Sequence, residues 1–231
     1  MRISGSGSIA AGTYEEPIEI NGSAKALGDL SCPSFSANGS VSIKGNLTCT
    51  ETVSLAGCAH VSGALSAKEI HADGSLTVDG EMRASGVLDA SGCVSCDGNV
   101  KGERIDVSGA LSVRESIDAE SLTVSGSITC DGLISAETLR VKVGVSSSRA
   151  VRITGNSVEI GRTGGICLFR KKGITVSEGV EGDTLTLDGV TAPLAIGKTV
   201  KIGRHCKIDC VRYSESIDVH PKAKVGKVEK V

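Results

Sequence analysis

Large apolar residues recur through the chain every 17 or 18 positions, at Leu30, Leu47, Leu65, Met82, Val100, Ile117, Ile134, Val151, Leu168, Leu185, Ile202 and Val219. A repeat of this regularity predicts a chain that coils, with each coil stacked on the one before. Seven copies fill in the rest of the period. Gly22, Gly39, Gly57, Gly74, Gly92, Gly109 and Gly126 start it, and six residues on come Gly28, Gly45, Gly63, Gly80, Gly98, Glu115 and Gly132. Two glycines at fixed phase read as corners, where a Cβ would be penalised. Glu115 is the exception among them.

Between the corners the apolar residues alternate, as in a strand with one buried face. Ala24, Val41, Ala59, Leu76, Val94, Leu111 and Ile128 form one inward column; Ala26, Ile43, Val61, Val78, Cys96, Val113 and Cys130 form the next. Two residues after the large apolar column comes a smaller one: Cys32, Cys49, Ala67, Ala84, Gly102, Ala119 and Ala136. A third side carries Phe35/Ala37, Ile70/Ala72, Ile105/Val107, Leu122/Val124 and Leu139/Val141, slipping by one in the longer coils to Val53/Leu55 and Leu88/Ala90. The expected fold is therefore all-β: a three-sided parallel β-solenoid of 17–18 residues per coil and about thirteen coils, with like side chains laddered along the axis.

The unbroken column argues for one continuous solenoid over residues 1–231, with regular glycine-cornered coils to residue 143. From 144 to 183 the corners lose phase: Val145-Ser146-Ser147-Ser148-Arg149 and Arg162-Thr163-Gly164-Gly165 read as looser turns, and Arg170-Lys171-Lys172 after Phe169 as a solvated or edge-protecting segment. Residues 184–231 read as regular coils again, on the pairs Leu194/Ile196 and Val211/Tyr213 and the pairs Val200/Ile202 and Ile217/Val219, each 17 apart, ending in a charged tail with Pro221, Lys222, Lys224, Lys227, Glu229 and Lys230. Tyr14, Phe35, Phe169 and Tyr213 are the whole aromatic complement, which suits a core one residue wide.

A net charge of −2 gives no electrostatic case for nucleic acid. No apolar run is long enough to span a bilayer, and Met1-Arg2-Ile3-Ser4-Gly5 lacks a signal-peptide core, so a cytoplasmic location is expected. Nine cysteines fit a reducing compartment. Cys32, Cys49, Cys96 and Cys130 fall in inward columns; in the C-x-x-C of Cys93 and Cys96 the first faces out and the second in, so they cannot share a metal.

Catalytic arrangements do not emerge. Asp29, Asp79, Asp97 and Asp131 sit beside corner glycines, where they suit turns, and do not converge in one coil. Gly5-Ser6-Gly7 is followed by no lysine or helix signal, so it is not a phosphate loop. Ile196-Gly197-Lys198-Thr199-Val200-Lys201 and Ile202-Gly203-Arg204-His205-Cys206-Lys207 resemble the hexapeptide repeat of left-handed β-helix acyltransferases, whose general base is a histidine. In that repeat, however, the glycine directly follows the large residue, and no long loop is extruded here to wall a site. His205 is read as an outward, solvated residue.

The glycine-cornered coil, as in Gly39-Ser-Val-Ser-Ile-Lys-Gly-Asn-Leu-Thr-Cys-Thr-Glu-Thr-Val-Ser-Leu-Ala, with matching coils at 22–35 and 57–71, resembles the bactofilins, polymer-forming bacterial cytoskeletal proteins. Val211-Arg212-Tyr213-Ser214-Glu215-Ser216-Ile217 is similar to the C-terminal segment of the longer Gram-positive members. The resemblance implies a right-handed β-helix and a structural, nucleotide-independent scaffold that assembles end to end, supporting cell shape, envelope or motility machinery. It implies self-association, further scaffolded proteins as partners, and a place in the cytoplasm near the inner face of the membrane. Neither enzyme activity, a cofactor, a metal nor a small-molecule substrate is expected. Some members carry a short apolar N-terminal anchor; Met1-Arg2-Ile3 has little apolar surface for one.

No amphipathic cap helix is legible at the N-terminus. The expected polymer interface is therefore Ile3, Ile9, Ile18 and Ile20 on a bare first coil, with Ile217, Val219 and Val225 at the other end. Contact between identical ends is isologous, and pairing both ends in this way gives a filament without polarity. The alternatives are a non-polymerising solenoid adaptor that presents a flat face to partners, and a hexapeptide-type transferase.

Overall fold

The computed structural model describes residues 1–144, 146–162 and 173–231. Val145, Gly164, Gly165, Leu168, Phe169 and the Arg170-Lys171-Lys172 triplet lie outside the described residues. The chain is all-β, a solenoid of stacked parallel coils with about thirteen turns and no helix among the described residues. It divides into two compact units, Met1–Arg114 and Glu115–Val231.

The first unit holds β1 (Arg2–Ile9), β2 (Gly12–Thr13), β3 (Ile18–Ala26), β4 (Leu30–Cys32), β5 (Phe35–Ile43), β6 (Leu47–Cys49), β7 (Thr52–Val61), β8 (Leu65–Ala67), β9 (Glu69–Val78), β10 (Met82–Cys96) and β11 (Val100–Val113). One coil explains all. In β5, Phe35 and Ala37 point inward on the third side; the strand bends at Gly39; Val41 and Ile43 then face the core along the first side, and β6 supplies Leu47 and Cys49 on the second. Six inward side chains thus fill each turn, and the ladders are in register: Phe35 opposes Val53, Ala37 opposes Leu55, and Leu47 opposes Leu65. The slip of the third side in the longer coils is present, with Leu88 opposite Ile70. The small column is looser, because Gly102 is only half-buried.

The two glycine columns turn out to serve different physical ends. Gly57, with φ of 120°, adopts a backbone conformation that L residues rarely populate, and a Cβ there would run into the carbonyl oxygen of Gly39 on the previous coil. All seven glycines of this column have positive φ. The second column does not. At Gly63 the constraint is stacking alone, since a Cβ would stand 2.7 Å from the carbonyl carbon of Gly45 and 2.8 Å from the amide nitrogen of Asn46. The side chain after this corner ties coils together: Asp29 Oδ1 accepts from the Asn46 amide at 2.7 Å, and Asn46 Oδ1 from the Ala64 amide at 2.8 Å.

The second unit holds β12 (Ile117–Val143), β13 (Ser148–Arg162), β14 (Ile174–Leu187), β15 (Val190–Ile202), β16 (Lys207–Val219) and β17 (Lys224–Lys230). Here the 17-residue column fails as a guide until the last coils, where Val200 opposes Ile217 and Ile202 opposes Val219 as expected. Ile134 opposes Ile153, which opposes Val180, then Ala195, Val211 and Val228, so successive partners lie 19, 27, 15, 16 and 17 residues apart. Val151 falls where the register shifts, opposite the corner at Asp131 and Gly132, and is half-buried. Leu185 and Ile202 are buried, but on the third side: Leu185 lies between Val158 and Val200, and Ile202 between Leu187 and Val219. Leu194 and Ile196 are also out of phase, both half-buried, with Ala195 between them fully buried. The charged tail is an ordered strand, β17, laid along Lys207–Tyr213 of β16.

Candidate functional site

The candidate site is the pair of coil ends, the N-terminal end of the first unit and the C-terminal end of the second. At the N-terminal end, β1 pairs with β3 on one edge, Ile3 opposite Ile20 and Ile9 opposite Ala26. Its other edge has no strand partner among the described residues. Ile3 is half-buried on this outermost strand, and Met1 is 38% exposed. The other expected residues are not surface. Ile9 is buried, and Ile18 and Ile20 belong to the second coil at 0% and 2% exposure. Ile20 is enclosed between Ile3 and Ala37. The reason is a count of coils: Ile18 and Ile20 begin the second turn, and the terminal ammonium donates to Pro17 O at 2.6 Å, holding the first turn against them.

The C-terminal end is the more apolar. Ile217 and Val225 are half-buried, Val219 is 38% exposed and Val228 48%. Val228 was missed because it sits among Lys224, Lys227 and Lys230. Its spacing of 17 from Val211, the residue it stands opposite, was the signal that could have shown it. β17 is pinned to β16 by charge. The Glu229 carboxylate accepts from Arg212 Nε at 2.9 Å and pairs with Lys227. Lys227 and Arg212 together hold its pKa down to about 2. Neither Pro221 nor the lysines cover the valines, so this end presents a strand edge unpaired among the described residues beside an apolar slice.

The flanks offer little chemistry. Three of the four acids beside the corners take basic partners on neighbouring coils: Asp79 pairs with His60 at 3.0 Å, Asp97 with Arg114 at 3.0 Å and Asp131 with Arg149 at 2.9 Å. No cluster of three metal-ligating side chains occurs among the described residues. Cys93 is exposed and Cys96 buried, its thiol donating to Gly80 O at 3.2 Å. His205 is exposed in a turn with φ of 59°. Two shallow grooves run along flat faces: one of about 510 Å³ beside Ser23, Ser40, Ser42 and His60, and one of about 580 Å³ beside Thr154, Asn156, Glu181 and Lys198. No helix among the described residues is long and apolar enough to cross a membrane. Comparison with family models, with curated proteins and with solved structures found no match.

Proposed function

We propose that this chain is a structural, polymer-forming scaffold of the bactofilin kind, assembling end to end into filaments without nucleotide. The observation that carries the reading is that, among the described residues, both ends leave a strand edge unpaired beside apolar side chains: β1 with Ile3, and β16–β17 with Val219 and Val228. An edge of this sort is a template for another chain, because association pairs its backbone groups and buries its apolar slice. The glycine-cornered coils and the Val211–Ile217 segment support the family assignment by resemblance. We read the protein as non-enzymatic and cytoplasmic, with identical ends meeting so that the filament lacks polarity.

Electron microscopy and light scattering of the pure full chain at micromolar concentration, without nucleotide, test this directly. Long filaments are expected. Ile3→Asp and Val228→Asp should each stop growth at dimers joined through the intact end, and the double variant should be monomeric. A wild-type protein that stays monomeric across salt and pH overturns the proposal. Filaments that survive the double variant would place the interface on the flat faces.

A further inference from the structure

Cys32 and Cys49 occupy the same inward column on adjacent coils, in register as neighbours on β4 and β6. Their sulfurs are 3.6 Å apart, and both side chains are buried, at 3% and 5% exposure. The other described cysteines in inward positions behave differently. Cys96, Cys130 and Cys206 donate to backbone carbonyls of Gly80, Glu115 and Leu187 at 3.2, 3.2 and 3.3 Å. Cys32 and Cys49 hydrogen-bond to each other. Among the described residues no other two cysteines oppose each other in a ladder.

The geometry points to a modification site: Cys32 and Cys49 are a dithiol that a hydroperoxide converts to a disulfide tying two neighbouring coils together. Neighbouring parallel strands hold Cα atoms ~4.8 Å apart, inside the window of roughly 4.4–6.8 Å that a disulfide requires. The sulfurs must close by about 1.5 Å to bond, a movement shared between two side chains with the backbone in place. The chemistry is shared unequally. The hydrogen bond from Cys49 holds the Cys32 thiol below its ordinary pKa, while the same bond and burial push Cys49 up. Cys32 is therefore the nucleophile.

Its thiolate attacks one peroxide oxygen, the O–O bond breaks, and the leaving hydroxide takes a proton to become water, leaving Cys32 as sulfenic acid. Cys49 sulfur then attacks Cys32 sulfur. The S–O bond breaks, and the released hydroxide leaves as water with the Cys49 proton. Two thiols and one hydrogen peroxide give one disulfide and two waters. Access comes from the end of the stack. Cys32 follows directly on the part of β4 covered by β2, a strand of two residues, Gly12 and Thr13, both exposed. So short an element opens locally at low cost.

The test is hydrogen peroxide treatment of the full chain carrying Ile3→Asp, which frees the first coil from any end-to-end contact, with Cys58→Ser and Cys93→Ser, which remove the exposed thiols among the described residues. Non-reducing tryptic mass spectrometry should find Ala26–Lys44 joined to Gly45–Lys68, lighter by two hydrogens. The bridged protein should melt several degrees higher, an increase reversed by a reductant. With Cys49→Ser, whose hydroxyl can still donate to Cys32 but cannot form a disulfide, Cys32 should instead accumulate as sulfenic acid, trapped by dimedone. The proposal is overturned if both thiols remain alkylatable after denaturation, or if bridging proceeds no faster than oxidation of Cys206, which has no thiol neighbour in its ladder. Neither result bears on whether the chain polymerises.

Discussion

Substituting alanine at three glycines separates the two demands that coiling makes on this chain. Gly5, with φ of 90°, has nothing within 4 Å of a built Cβ, so Gly5→Ala adds backbone strain alone, about 1–2 kcal/mol. Gly63→Ala adds only the collision with Gly45 and Asn46, about 1–3 kcal/mol, since the coil above is fixed by its own ladder and cannot relax freely. Gly57→Ala adds both, the strain at φ of 120° and the contact with the Gly39 carbonyl, for a total of about 2–5 kcal/mol. Against a typical margin of ~5–15 kcal/mol that is a large fraction of stability. Equilibrium urea unfolding followed by circular dichroism measures all three. The expected order is Gly57 worst, Gly63 intermediate, Gly5 least, because β1 is outermost and can fray to relieve its strain. If Gly57→Ala costs no more than Gly5→Ala, the coils can part to admit a methyl group, and the argument that stacking dictates the glycines is refuted.

Ile117→Asp should unfold the second unit, since Ile117 is fully buried and an unpaired carboxylate there costs several kcal/mol, roughly the whole margin; an unchanged melting temperature would show that it does not face the core. Ile153→Asp should do the same while Val151→Asp is tolerated, because Ile153 is fully buried and Val151 sits at a corner; hydrogen exchange of β13 distinguishes the two, and the reverse result would reinstate the simple 17-residue column. Glu229 has its pKa depressed to about 2 by Lys227 and Arg212. Its contribution to docking of β17 is thus present above the ordinary carboxylate pKa of roughly 4.3 and lost as pH falls through about 2. Amide protection in Lys224–Lys230 should fall over that window, and Glu229→Gln should remove the pH dependence.

Much of the first unit was legible because its information is local and repeated. Phe35/Ala37, Val41/Ile43 and Leu47/Cys49 are inward in the structure as period-2 alternation required, and the slips at Val53 and Leu88 followed from coil length alone. Glycine at a phase set by two bends per coil is a constraint that any single coil carries in its own residues. The second unit was harder for a physical reason. Spacing counts residues along the chain, whereas a ladder is set by which backbone groups meet. Once coil length varies between 15 and 27 residues, apolar residues 17 apart share a column only in the last coils, as Ile202 and Val219 do, while Val151 reached a corner and Leu185 a different side. The ends depended on tertiary structure too. That Ile18 and Ile20 are covered by β1, that Val228 is left open among lysines, and that the sulfurs of Cys32 and Cys49 meet at 3.6 Å are consequences of which coil lies next to which. The repeat determined that the chain coils; the stacking of unequal coils decided which side chains it leaves uncovered.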